Sequence, residues 1–357
     1  MRTLSTSWIT DCFPIEERPM KLKQPPPFSW QKTLWSNLCD QFESQQLAHA
    51  YLISGPRGTG KDLFANAFAK YLMCVSPNKS TACGGCKNCL LGREAGHPDI
   101  IKIIVEEGSR DIKVEQIRAL SDFLVQTSQG GRAKITLITD AHHMNTAAAN
   151  ALLKTLEEPT PSTYIFLLSH LPGSLPATIR SRCQKLIMPT PSNKDAVDWL
   201  KQHIPDQEDP QSLAIAAGNC PLLALDLARS GGLDKQQQFL QKLTQLTSGK
   251  TSIQATVGLA TKLGETEVIG YLREVSTMLI KHLLINQQPS EIESHQAILL
   301  ELFRGKEVTY QQMLLSLMRF YAQVLESQRR LMSGANPNPQ LIVESLLWRW
   351  SQLRTFQ

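Results

Sequence analysis

With 357 residues, 42% of them hydrophobic and 19% charged, the chain can support two or three domains with separate cores, and its composition excludes a disordered or low-complexity protein. The formal net charge of +5 is too small a bias to identify nucleic acid as a partner unaided. No apolar run reaches the roughly 18 residues of a membrane helix, and Asp11, Glu16 and Glu17 break the N-terminus before a signal-peptide core can form. The expectation is therefore a cytoplasmic protein with no membrane contact.

Residues 1–27 carry Pro14, Pro19 and Pro25 to Pro27 without periodicity and read as an irregular leader. A genuine tail and a translation start at Met20 both fit this stretch. Trp30, Leu34, Leu38 and Phe42 then recur at helical spacing. Residues 49–53 predict a first strand, followed by Gly55-Pro56-Arg57-Gly58-Thr59-Gly60-Lys61-Asp62 and an amphipathic helix through Leu63, Phe64, Ala67 and Leu72. In such a strand, loop and helix, Gly55, Gly58 and Gly60 let backbone N–H groups converge on phosphate, and Lys61 reaches the outer phosphates. Asp62 stands where a Ser or Thr hydroxyl normally binds Mg²⁺. A carboxylate there can hold a cation, but it sets negative charge beside anionic phosphates. Two readings stay open: a degenerate site for ATP and Mg²⁺, and a relict loop that keeps its fold without a ligand.

Of the eight cysteines, Cys74, Cys83, Cys86 and Cys89 fall within sixteen residues, separated by eight, two and two positions. The short spacings fold a turn around one tetrahedral ion, and thiolates are preferred ligands of Zn²⁺. Gly84 and Gly85 permit the turn, and Lys87 offsets part of the negative charge. Four ligands leave no open position, so the expected role is structural. Four reduced, unliganded cysteines are the alternative.

Residues 100–105 predict a second strand, Val114, Ile117, Leu120 and Leu124 a helix, and Gly130 with Gly131 a loop. A third apolar run at 135–139 is closed by Asp140. Asn145 caps a helix whose inner stripe is Ala148, Ala151, Leu152, Thr155 and Leu156, and Pro159 ends it. A further run follows at 164–168. Short, continuously apolar runs suit strands buried on both faces of a parallel sheet. Ligands of such sheets sit at the carboxyl ends of the strands, where Asp140, Ser169 and the region of Arg182 fall.

Beyond this, residues 188–230 predict a small helical lid, opening with Pro189 and Pro191 and including Trp199 and Leu200. From 231 no strand pattern persists. Leu240, Leu243 and Leu246, then residues 280–285, 299–303 and 313–318, then Val343, Leu346, Leu347 and Trp350 predict a helical bundle.

The wording of the central block is specific. Asp-Ala-His-His-Met-Asn from Asp140, Ala-Ala-Asn-Ala-Leu-Leu-Lys-Thr-Leu-Glu-Glu-Pro ending at Pro159, and Ser181-Arg182-Cys183 closely resemble bacterial clamp-loader subunits of the AAA+ class. The resemblance runs from about Pro27 to the C-terminus. It implies α/β plus all-α architecture: an AAA+ RecA-like parallel-sheet domain over 28–187 with a zinc module at 74–89, a helical lid over 188–230, and a helical collar over 231–357 that joins subunits into a ring. It also implies partners: gamma/tau-type and delta-type clamp-loader subunits in a hetero-pentamer, the sliding clamp, and primed DNA within the complex of a DNA-directed DNA polymerase holoenzyme.

The same resemblance marks what this chain lacks. Ala141 occupies the place of the family's glutamate that activates water, and alanine cannot accept a proton. Pro221 occupies the place of the lid arginine in Gly218-Asn219-Cys220-Pro221. Asp140 could still hold Mg²⁺ or simply cap backbone groups at a strand end, and Ser169 falls at the polar sensor position. Arg182 matches the arginine finger that reaches a neighbour's ATP in trans, the alternative being a surface ion pair with Glu157 or Glu158. The expectation is a clamp-loader scaffold silent as an ATPase. A working gamma-type ATPase and a zinc-bearing nucleic-acid adaptor are the rivals, the latter weakened by scattered basic residues and only 6% aromatics.

Overall fold

The computed structural model describes residues 26–94, 96–205, 209–285, 309–332 and 337–353. Residues 1–25 of the expected leader 1–27, including Met20, and the helical stretch expected at 299–303 lie outside them. The chain divides into two compact units between Asp226 and Leu227.

In the first unit, five parallel strands form one sheet: β1 (Ala50–Ser54), β2 (Ile100–Ile103), β3 (Lys134–Ile138), β4 (Thr163–Ser169) and β5 (Gln184–Ile187), in the order β2-β3-β4-β1-β5. Every residue of β3 is buried, the polar Lys134 and Thr136 included, as a strand covered on both faces of a parallel sheet requires. Alternation along each strand then sorts side chains between two cores. Ala50, Leu52, Ile138, Ile165 and Leu167 face one way. They pack on α4 (Val114–Val125) and α5 (Thr146–Glu157) through Ile117, Leu120, Leu152 and Leu156. Tyr51, Ile53, Ile135, Leu137, Phe166 and Leu168 face the other way. Their partners are α1 (Lys32–Glu43) and α2 (Lys61–Met73), through Trp35, Leu38, Phe64 and Phe68.

Local signals set the boundaries. The Asn145 side chain accepts from the Ala148 N–H at 2.8 Å, capping α5. Glu158, preceding Pro159, leaves helical geometry at φ −124°, ψ 69°. The inner face of α1 carries the expected Leu34, Leu38 and Phe42, packed on the second of these cores and joined by Trp35 and Cys39, which the expected stripe did not include. A 3-10 turn, Ser29–Gln31, precedes α1 and turns Trp30 away from that face.

Short helices complete this unit: α3 (Lys87–Glu94), α6 (Ala177–Arg180), α7 (Asn193–Leu200) and α8 (Pro210–Ala216), with the start of α9 (Pro221–Ser230). The expected lid segment holds α7, α8 and α9. In the second unit α10 (Gly232–Thr247), α11 (Ile253–Leu263), α12 (Glu265–Ile285), α13 (Tyr310–Met332) and α14 (Pro339–Gln352) enclose a core that includes Phe239, Leu272, Leu317, Phe320, Leu347 and Trp350. The Trp350 indole N–H donates to Thr247 Oγ1 at 2.9 Å, giving this large buried ring its polar partner. Among the described residues no single helix is long and apolar enough to cross a membrane.

Candidate functional site

The glycine loop leaves β1 and enters α2 at the carboxyl edge of the sheet. Gly60 sits at φ +84°, and a Cβ there would meet the Phe28 ring at 2.8 Å. Gly58, at φ +81°, lies against α9, where an added Cβ would come within 2.4 Å of Leu223 Cβ. The loop carbonyls are bound from three sides. The Gln31 side-chain amide donates to the oxygens of Thr59 (3.0 Å) and Gly60 (3.3 Å), and the Trp30 indole donates to Thr59 O at 3.0 Å. The Leu222 N–H donates to Gly58 O at 3.1 Å.

Lys61 turns into its own loop. Its Nζ donates to Gly55 O at 3.0 Å and Pro56 O at 2.8 Å, and its burial lowers the pKa of the ammonium. The Asp62 side chain reaches solvent, yet desolvation by surrounding protein and the nearby Asp140 carboxylate push its acid upward. Pro221 begins α9, where it can donate neither a side-chain charge nor a backbone N–H.

Asp140 follows β3 in a left-handed conformation, φ 47°, ψ 45°. The His170 imidazole beside it is the largest influence holding its carboxyl down at about 2, with His142 adding to the effect. His142 is buried, and desolvation together with His170 and His143 pushes it down to about 3, so it is neutral near pH 7. Ala141 is fully enclosed in the core with α5, leaving no proton acceptor at its position. Ser169 Oγ lies 3.2 Å from His142 Nδ1.

Arg182 follows α6. Its guanidinium pairs with the Glu157 carboxylate and donates to Thr178 O at 3.0 Å. The ion pair weighed against the finger role is thus the contact made in the single chain. Cys183 is a core residue whose thiol is raised to about 11 by burial, and it anchors the chain directly after Arg182.

The four clustered cysteines converge. Cys74 Sγ is 3.9 Å from Cys86 Sγ, Cys83 Sγ is 3.9 Å from Cys89 Sγ, and all four sulfurs lie within 4.8 Å of one another. Sulfurs bound to one tetrahedral Zn²⁺ at about 2.3 Å stand about 3.8 Å apart, so the donor set fits such an ion. Backbone N–H groups of Cys83 and Cys86 donate to the sulfurs of Cys74 (3.2 Å) and Cys83 (3.3 Å). The Gly85 N–H is the largest of several donors that lower the Cys83 thiol to about 6, whereas burial raises Cys89 to about 12. The cluster is tied to the sheet unit: Arg132 donates to Cys74 O, Asn88 donates to Met73 O at 2.9 Å, and the Trp35 indole donates to Ser80 O at 2.7 Å.

The sequence marks Trp30 only as part of a helical stripe, and it singles out neither the other loop-strapping residues Phe28, Gln31 and Leu222 nor the histidine pair His142 and His170. The adjacent His142-His143 beside Asp140 was a visible signal. Nothing local marked Gln31.

A glycine loop between strand and helix, an acid after β3 and a Ser-Arg-Cys turn lie on one parallel sheet, the architecture that the resemblance to AAA+ clamp-loader subunits implies. A family model described as "DNA polymerase III, delta subunit" matches residues 30–192. The DNA polymerase III subunit delta' of Pseudomonas aeruginosa is 31% identical, over 91% of this chain and 98% of its own length. That of Haemophilus influenzae is 32% identical, over 78% of this chain and 83% of its own. The tau/gamma subunit of H. influenzae is 39% identical over a shorter stretch, 43% of this chain and 22% of its own length. The chain belongs to the DNA polymerase III delta' family.

Proposed function

We propose that this chain is the delta' subunit of a cytoplasmic clamp loader. It assembles with gamma/tau-type and delta-type subunits through its C-terminal helical unit and helps to place the sliding clamp on primed DNA. It serves there as a scaffold and donates Arg182 to a neighbour's ATP, without hydrolysing ATP itself.

The observation that carries this reading is the inward turn of Lys61 onto Gly55 and Pro56, beside a buried alanine where a water-activating acid would stand. The loop is retained as a structural piece strapped by Gln31 and Leu222. Gly55, Gly58, Gly60, Lys61, Asp62 and Asp140 mark where nucleotide and Mg²⁺ would be held in a working relative. Arg182 keeps a polar anchorage of two exposed contacts, which a neighbouring phosphate can outcompete. Cys74, Cys83, Cys86 and Cys89 hold a structural Zn²⁺; when bound, the ion crosslinks the segment after α2 to α3.

The test is steady-state ATP hydrolysis by the purified full chain with Mg²⁺ and primed DNA, alongside titration with labelled ATP. The expected result is no turnover above background and no saturable binding at millimolar nucleotide. Turnover abolished by Lys61→Ala would overturn the reading in favour of a gamma-type motor. Tight primed-DNA binding by the chain alone would favour a nucleic-acid adaptor.

A further inference from the structure

The carboxyl end of β3 and β4 carries a second group of ligand-type side chains that the scaffold reading leaves unused. Asp140 closes β3, His142 sits in the 3-10 turn Ala141–His143, and His170 directly follows β4. His170 Nδ1 lies 3.3 Å from Asp140 Oδ1, and His142 Nε2 lies 4.0 Å from the same oxygen. The His142 and His170 rings meet edge to face with centroids 4.1 Å apart. One ligand atom from each of the three residues falls within 4.8 Å of the others.

A separate observation points to a ligand. The His142 side chain is sealed from solvent, and its Nε2 is buried with no hydrogen-bond partner. Buried ring nitrogens are nearly always satisfied, so one aimed into a group of ligand atoms needs an occupant. The other ring nitrogen is already placed. Ser169 Oγ lies 3.2 Å from His142 Nδ1 and accepts the Leu171 N–H at 3.1 Å. If Nδ1–H donates to that oxygen, the tautomer is fixed with the Nε2 lone pair directed at Asp140 and His170. That is the arrangement by which an outer hydrogen bond orients a metal-binding histidine.

We propose that Asp140, His142 and His170 bind a divalent transition-metal ion, with Zn²⁺ the expected occupant, at a site distinct from the four-cysteine centre. Ligands held at about 2.0–2.1 Å around a tetrahedral ion stand about 3.4 Å apart. The 3.3 Å edge meets this, and the 4.0 Å edge does so with a small rotation of the exposed Asp140 side chain. Two imidazoles and one carboxylate favour Zn²⁺, Ni²⁺ or Co²⁺ over Mg²⁺, which takes oxygen ligands and keeps its waters. Lys61 does not compete for Asp140, because its ammonium is held by Gly55 and Pro56. His143 is outside the set, because neither of its ring nitrogens belongs to the group of mutually close ligand atoms, and its Nδ1 is turned to Arg110 O at 2.9 Å. Three protein ligands leave a fourth position for water. The end of the sheet that holds Mg²⁺ with nucleotide in a working ATPase is thus rebuilt for an ion that needs no nucleotide. The inference rests on these three side chains and not on the clamp-loader assignment.

The test uses the full chain stripped of metal, dialysed against buffered Zn²⁺, and analysed for metal per chain. The wild-type chain is expected to hold about two ions. His170→Gln and Asp140→Asn, both at partly exposed positions, should each hold about one, with the cysteine-bound ion retained. Cys86→Ser should lose the other ion. Loading Co²⁺ into a chain whose cysteines already hold Zn²⁺ provides a second readout: visible d–d bands without thiolate charge transfer, absent in His170→Gln. One ion per wild-type chain, or a second ion that survives both His170→Gln and Asp140→Asn, overturns the proposal. Should a variant lose both ions by unfolding, the wild-type count and the cobalt spectrum decide.

Discussion

Substituting Arg182 by alanine separates a role inside the chain from a role across an interface, because the two differ in size. In the single chain the guanidinium pairs with Glu157, with 36% and 49% of the two side chains exposed. A pair so exposed contributes about 0.2–1 kcal/mol, so urea unfolding of Arg182→Ala should shift by less than about 1 kcal/mol. An arginine finger contributes about 10³–10⁵ in rate, or about 4–7 kcal/mol at about 1.36 kcal/mol per tenfold. Giving up Glu157 therefore costs several kcal/mol less than engaging a neighbour's transition state returns. The assay is DNA-stimulated ATP turnover of the reconstituted complex, with assembly followed by gel filtration. Turnover should collapse at the one site Arg182 faces while assembly is unchanged, and Glu157→Gln, which only frees the arginine, should leave turnover near wild type. Wild-type turnover in Arg182→Ala, with unfolding shifted by more than about 1 kcal/mol, would refute the finger role and make the arginine structural.

On the zinc reading, chelation or Cys86→Ser should lower the melting temperature and expose the 74–94 segment to protease. Retained stability and protection would argue for four unliganded thiols. Asp99 is fully buried, lies 3.3 Å from Lys134 Nζ, and accepts from Gly130 N, Gln129 N and Ser128 Oγ. Asp99→Asn leaves the buried ammonium unpaired and should destabilise by about 3 kcal/mol or more in urea unfolding. Burial alone would raise the Asp99 acid, but the donors on it outweigh that and lower it. Its contribution is therefore complete above the unfolded carboxyl value of about 3.9 and fades as pH falls through the lower folded value; Asp99→Asn should flatten that part of the stability profile. Asn145→Ala removes the cap on α5 and should cost about 1 kcal/mol in the same measurement. Ala141→Glu should not create an ATPase, because Lys61 and Pro221 remain as they are; measurable turnover would show that the glutamate alone was missing.

What the sequence disclosed was local. The apolar run at 164–168 appears as β4, Thr163–Ser169, because both faces of that strand are covered. Asn145 and Pro159 bracket α5 because capping and proline sterics act within a few residues. The cysteine cluster was legible because two of its spacings are those of a single turn. What stayed hidden depends on chain segments far apart. Gln31 reaches Thr59 and Gly60 across 28 and 29 positions, and no periodicity predicts such a strap. His170 meets Asp140 only because β3 and β4 are paired in register, Ile138 beside Leu167. Trp30 falls outside the inner face that Leu34, Leu38 and Phe42 share because it lies in the 3-10 turn before α1 begins.

The strap over the glycine loop also gives the molecule an optical handle. Trp30, bound to Thr59 O, lies edge to face with Trp199 of α7 at 6.3 Å between centroids, and Phe28 stacks on Trp30 at 4.8 Å. Two indoles at that distance couple electronically, so their near-ultraviolet circular dichroism reports whether the 28–31 strap and α7 remain together over the loop. An unlabelled chain can thus be watched by light alone while partners or metal ions are added, with Trp30→Phe as the dark reference.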